Sequence, residues 1–252
     1  MQPPMDAGTG APSGPPRKSG TSPWVYIGCG CAGLVILGMV TFSAFTYFAY
    51  RKGKEMEKTW SDPKAREEKA REVLVYEKLP EGYYPLGAMS IPFVMDMAMI
   101  GDDPPPAGTK PGDKDGFKDR GFLYFKVRRV GKADQEIRDY MAGKGKKPDW
   151  MQSDTDFRPE DVLRRGEVDA NGQKIAFSAF RGEVDVNDQK RDGITTMMLI
   201  DCTKAKDSRV RFGLWFGPDP APEEPADKLN LAGTNADPEA IKAFASHFKF
   251  CQ

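Results

Sequence analysis

The chain has 252 residues, a size that allows one soluble domain plus accessory segments, and its formal charge is zero, with 37 basic and 37 acidic side chains. No basic excess marks it as a nucleic-acid binder. One histidine and four cysteines leave little material for a metal centre or an acid/base triad.

Residues 1 to 23, MQPPMDAGTGAPSGPPRKSGTSP, are dominated by Pro, Gly, Ser and Thr and hold almost nothing apolar. Such a stretch cannot bury enough surface to offset the entropy of ordering, so it is expected to be a disordered tail. The next 27 residues, Trp24 to Tyr50, carry no charged side chain. As a helix they would measure about 39 Å, enough for a hydrocarbon core of about 30 Å, with Trp24, Tyr26, Tyr47 and Tyr50 at the headgroup layers. The run is too long for the apolar part of a signal peptide and lacks its small-residue cleavage site, so an uncleaved transmembrane anchor is expected. Cys29 lies at the start of the run instead of after it, which argues against lipidation.

Residues 51 to 77 form a charged juxtamembrane stalk in this reading. Asp62 caps a helix with Pro63 in its first position, running to about Tyr76. From residue 78 to 252 the pattern changes to short apolar runs with period-two alternation, the signature of strands. Leu123, Phe125 and Val127 share one strand face, Ile175, Phe177 and Ala179 another, and Val210, Phe212, Leu214 and Phe216 a third. ITTMMLIDC, opening at Ile194, has a continuous apolar centre that suits a strand covered on both sides. Asn171-Gly172 predicts a tight hairpin turn, because both residues accept positive φ. A helix is expected near 133 to 142, and another near 238 to 248, capped by Asp237 with Pro238 following and striped by Ile241, Phe244 and Phe248. Segments 102 to 116, 143 to 149 and 217 to 237 read as exposed loops, the longer two as candidates for mobility. The expected fold class is α+β: tail, one transmembrane helix, then a mainly antiparallel sheet with packed helices, of which an α/β/α sandwich is one form.

The LPEGY that opens the domain and a sheet closing with a helix that ends in FKFC together resemble PsbP-like domains. That resemblance covers element order over residues 79 to 252. It implies an α/β/α sandwich used mainly for binding protein partners and assigns no functional residue. A Pro-rich tail, one span and one domain also resemble uncharacterised single-pass bacterial envelope proteins.

Several motifs point to chemistry only until their context is read. Gly28, Gly30 and Gly33 match a dinucleotide fingerprint, but no strand precedes them and no acid follows at the needed spacing. Gly28 with Ala32 and Cys29 with Gly33 fit better as a small-residue packing face for a homodimer through the transmembrane helix. Met95, Met97 and Met99 alternate along a strand and could offer thioethers to Cu(I), with Met197, Met198 and His247 as additions. Sulfurs two residues apart are about 6.8 Å apart along a strand, however, so core packing by adaptable side chains is the main reading. Acidic clusters at Asp154, Asp156, Glu160 and Asp161, and at Glu183, Asp185, Asp188 and Asp192, miss the calcium-loop pattern. His247 stands four residues from Cys251, a weak case for nucleophilic catalysis.

Cys202, ending a strand, and Cys251, past the last helix, could close one disulfide or stand as two thiols. Lysine and arginine near the span, two before it and seven after, favour a cytoplasmic domain, whereas a disulfide favours an extracytoplasmic one, the reading adopted. The expected function is a membrane-anchored, non-catalytic binding or scaffold domain without a cofactor. Its partners would be the bilayer and another protein, met through aromatics such as Trp150 and Trp215 where they are exposed; Trp215 points away from Phe212, Leu214 and Phe216 by alternation, and burial under a helix is its first reading. A copper-handling envelope protein is the alternative, and a hydrolase the least favoured one.

Overall fold

A computed structural model describes residues 53–54, 57–110, 116–128, 132–145, 157–186, 189–202 and 209–252. Contacts divide the chain into two compact units, residues 1–51 and 52–252, and the described residues belong to the second.

Seven strands form one antiparallel sheet: β1 (Tyr84–Ile91), β2 (Met95–Gly101), β3 (Gly121–Arg128), β4 (Phe157–Ala170), β5 (Gln173–Val186), β6 (Gln189–Asp201) and β7 (Arg209–Pro218). Their spatial order is β1-β2-β3-β7-β6-β5-β4, so the chain leaves after β3, lays down the far edge, and returns strand by strand to close against β3. Besides the helical residues 53–54 and 57–61, the described residues include helices of 12, 10 and 8 residues: α1 (Pro63–Leu74), α2 (Lys132–Met141) and α3 (Pro238–Ala245).

Alternation divides the sheet into two faces with different cover. On the inner face Ala98, Ile100, Phe122, Tyr124, Ile175, Phe177, Met198 and Trp215 pack with Ala70 and Leu74 of α1 and with Ile241, Phe244 and Ala245 of α3. On the outer face a smaller cluster joins Phe180, Met197, Leu199 and Val210 to Tyr140 and Met141 of α2. β6 is central, and its residues 197 to 200 are all at most 3% exposed on both faces, as the continuous apolar run predicts. On β3 the balance differs from the expectation. Phe122 and Tyr124 are 0% and 1% exposed, while Leu123, Phe125 and Val127 on the other side are only half-buried.

Local chemistry explains the element ends. Asp62 accepts from the Lys64 amide at 2.9 Å with Pro63 opening α1, and Asp237 accepts from the Glu239 amide at 3.1 Å with Pro238 opening α3. The β4–β5 turn has Asn171 and Gly172 at φ 54° and 71°, the conformation a two-residue hairpin with matching twist requires. The 217–237 loop is pinned, not loose. Arg181 bonds buried Asp219 at 2.5 Å and also donates to the carbonyls of Ala221 and Glu224.

Three expectations are corrected. Among the described residues the fold is one mainly antiparallel seven-stranded sheet with few helices, in place of the expected α+β arrangement of a transmembrane helix followed by an α/β/α sandwich. Among the described residues no helix is long and apolar enough to cross a membrane, so the single-pass membrane assignment and the extracytoplasmic placement built on it are withdrawn. The tail of residues 1 to 23 and the segment from Trp24 to Tyr50, with Gly28, Cys29, Ala32 and Gly33, lie outside the described residues. Residues 63 to 74, expected as a stalk, lie on the sheet, because Ala70 and Leu74 give α1 an apolar stripe that the inner face covers to 0% exposure.

Candidate functional site

The β1–β2 hairpin turns through Pro92, Phe93 and Val94. The Val94 amide donates to the Ile91 carbonyl at 3.0 Å, and the Arg128 amide donates to the Val94 carbonyl at 3.1 Å, so the backbone of the tip is tied to both flanking strands. Its side chains are not covered: Ile91 is 42% exposed, Val94 55% and Phe93 88%. Phe93 also has φ 65°, a left-handed conformation that costs a residue with a Cβ about 1–2 kcal/mol. Neither burial nor a polar side-chain bond compensates that cost within the fold.

Beside the tip lies an apolar groove of ≈ 530 Å³, lined by Phe93, Val94, Met95, Val127, Ile137 and Phe212, with Arg128 as its charged member. The groove follows from register. Met95 pairs with Val127, Met97 with Phe125 and Met99 with Leu123, and β3 in turn pairs Val127 with Val210, Phe125 with Phe212 and Leu123 with Leu214. All these side chains point to the outer face, where α2 packs against the β5 and β6 side and leaves β2 and β3 to small contacts such as the Phe125–Phe212 stack at 4.8 Å.

The methionine strand is thus one wall of an apolar face. Each thioether stands opposite an apolar side chain on β3. Met197 and Met198 point to opposite faces of β6 and enter different clusters, and His247 sits elsewhere, so the residues named as additional copper ligands do not converge. Among the described residues no group of three or more His, Cys, Asp or Glu could hold a metal ion.

A second, polar cleft of ≈ 690 Å³ is lined by Glu77, Lys78, Asn171, Gln173, Ser246, His247, Lys249, Cys251 and Gln252. Most of its polar atoms are engaged in holding the chain end. Asn171 Nδ2 donates to the carbonyls of Ser246 and Phe248 at 2.7 and 3.2 Å, and Gln173 Oε1 accepts from the Cys251 amide at 3.0 Å. His247 Nδ1 lies 3.1 Å from the Lys78 carbonyl. Lys249 meets Glu77 at 2.7 Å, and that hydrogen bond and charge hold the Glu77 carboxyl below its usual range. Cys251 is joined to Cys202 by a disulfide with the Cα atoms 5.3 Å apart, so in this state it offers no thiolate to His247. His247 and Glu77 share the cleft, but Glu77 faces Lys249 as its partner.

Of the aromatics singled out for interaction, Trp215 is 8% exposed. It stacks on Phe244 at 4.3 Å, and its indole N–H donates to the Tyr83 hydroxyl at 2.8 Å. Burial pushes the Tyr83 phenol above its ordinary pKa. Trp150 lies outside the described residues, as do Asp154 and Asp156. Phe93 and Val94 were missed by alternation, which sees strands and not turns. The available signal was IPFV, a bulky turn between two apolar runs where Gly, Asn or Asp would be expected.

No protein-family model matches the chain, and no curated protein matches it.

Proposed function

We propose that the domain of residues 52 to 252 is a non-catalytic interaction module that docks another protein on the β1–β2 hairpin tip and the groove beside it. One observation carries this reading: a phenylalanine held at positive φ stands 88% exposed on a backbone fixed from both sides. Strain of this kind without a stabilising contact is the pattern of a residue kept for what it meets outside the fold. Large exposed aromatics next to an apolar groove are characteristic anchors of protein interfaces. Among the described residues, three of the five exposed large apolar side chains, Ile91, Phe93 and Val94, lie together at this tip, while Tyr84 stands at the other end of β1 and Val162 on β4. That concentration distinguishes a patch from scattered surface residues.

The test is photo-cross-linking in cells making the full chain, with a benzoyl-phenylalanine placed at position 93 or 94. Discrete cross-linked products are expected at both, and none at the exposed control positions Glu81 and Lys228. Products at 93 no more distinct than at the controls would refute the docking reading.

A further inference from the structure

We propose that two copies of this chain pair through β4, antiparallel about Gly166, so that Arg165 of each lies opposite Glu167 of the other. β1 and β4 are the two edges of the sheet, and an edge strand presents backbone donors and acceptors to any chain that can reach them. β1 is poorly suited to this. It has 8 residues, Pro85 within it brings no amide, and its ladder shifts between Pro85 and Gly87. β4 has 14 residues, long for an edge, and its pairing with β5 is regular from Arg164 to Ala170. Residues 164 to 167 are exposed in succession, and Asp169 is exposed beyond them. Among the described residues, the backbone from Val162 to Asp169 makes no hydrogen bond outside the β4–β5 ladder.

The register follows from the hairpin. In a two-residue turn the flanking pair, here Ala170 and Gln173, is hydrogen-bonded. Alternation then turns the amides and carbonyls of Gly166, Val168 and Ala170 toward β5, and those of Arg165, Glu167 and Asp169 toward the open edge. Two β4 strands meeting antiparallel about Gly166 put Arg165 opposite Glu167 twice, in hydrogen-bonded pairs whose side chains leave on one face. That face is the outer one, for Arg165 lies over the Tyr140 ring of α2 at 5.7 Å, and Glu167 follows it by two residues. Glu167 makes no ion pair among the described residues. Moving the axis by one residue brings Arg165 against Arg165 or Glu167 against Glu167, so the charges select one register. Edge charges keep strands apart when like meets like, and about Gly166 like does not meet like. Gly166 itself sits on the axis in a non-hydrogen-bonded pair, where Cα atoms come within about 4.5 Å, and it has no side chain to obstruct the second copy. Its missing Cβ also makes room for Phe177, whose ring a Cβ would meet at 3.0 Å. A ladder this short is a small interface, so the dimer is weak and concentration-dependent. Because β4 is the edge opposite β1, pairing leaves the hairpin tip of each copy open, and a dimer presents two docking surfaces to a partner.

Sedimentation velocity of the full chain at concentrations up to about 1 mM should show a reversible dimer. R165E and E167R each set like charges opposite one another, and each should weaken self-association about tenfold. An equimolar mixture of the two variants should associate as tightly as the unaltered chain, because two acids on one β4 then meet two arginines on the other. A variant that had failed to fold could not give that rescue. F93A should leave the dimer intact. Absence of self-association by the unaltered chain overturns the proposal, and so does a dimer that neither charge reversal weakens. Two weakened variants whose mixture is not restored overturn it as well. Loss of the dimer in F93A overturns it by putting the second copy at the hairpin tip instead of at β4.

Discussion

Two hairpin turns at the same end of the sheet share an unusual feature and resolve it differently. Asn171 in the β4–β5 turn and Phe93 in the β1–β2 turn both adopt positive φ with a side chain attached. Asn171 is a residue that tolerates this conformation, and its amide is bonded to two carbonyls of the chain end. Phe93 is a poor choice for the conformation, and its ring is 88% exposed. The first turn is explained entirely by folding: it clamps the segment from Ser246 to Phe248 against the sheet. The second is unexplained by folding, and that difference locates the surface assigned here to a partner.

The same contrast holds between the faces of the sheet. The inner face buries its aromatics under two helices, with Phe122, Phe244, Phe248 and Phe250 in ring contact. The outer face leaves methionines and phenylalanines half-covered on the β2–β3 side. Methionine adapts its shape to different neighbours, which suits a docking face more than a fixed core.

Mutations should break or sharpen this comparison in a definite order. Trp215→Ala removes a buried ring from the inner face and leaves the Tyr83 hydroxyl without its donor, so thermal or urea unfolding should report a loss of about 3–5 kcal/mol. Replacing both Cys202 and Cys251 by serine opens a loop with a sequence separation of 49, and a loss of about 2–4 kcal/mol is expected in the same assay. Asn171→Ala keeps the strained φ and loses two hydrogen bonds, and should cost about 1–2 kcal/mol. Phe93→Ala should change stability by no more than about 0.5 kcal/mol while weakening partner binding. If Phe93→Ala destabilises the fold as much as Asn171→Ala does, the two turns are alike and the distinction drawn between them fails.

Alkaline titration adds a smaller test, of the inner face through Tyr76 and Tyr83 and of the outer face through Tyr140. Burial raises the phenol pKa values of Tyr76, Tyr83 and Tyr140 above the ordinary value of 10.0. A raised acid binds its proton more tightly in the folded state. The stability this represents is therefore complete below about pH 10 and is lost as pH rises through the folded values. Melting temperature should be flat toward pH 9 and fall above pH 10, with tyrosinate absorbance appearing together with unfolding. Tyrosinate appearing first, in a still-folded protein, would show these hydroxyls to be solvated.

Much of this architecture was legible because its causes are local. Asp62-Pro63 and Asp237-Pro238 act within one helical turn, and Asn171-Gly172 acts within one hairpin, so each could be recognised without any knowledge of tertiary neighbours. The run from Met197 to Ile200 was legible as a central strand because a strand covered twice needs no alternation. The site was less legible. Alternation turns Trp215 away from Phe212, Leu214 and Phe216 and leaves open exposure or burial under a helix; burial is the outcome, under α3, a helix more than twenty residues further along the chain. Phe93 was passed over because a turn carries no periodic signal.

Alternation along the chain by itself determined which side chains share a face of each strand, and the capping residues determined where helices begin, because these are properties of a few consecutive residues. Only the tertiary structure decided which face receives the helices, since burial depends on segments distant in sequence: α1 and α3 converge on the inner face, while α2 shelters only part of the outer one. Cys202 and Cys251 illustrate the division, for their positions at element ends permitted a bond, and the return of the chain end beside β6 brought the two sulfurs together.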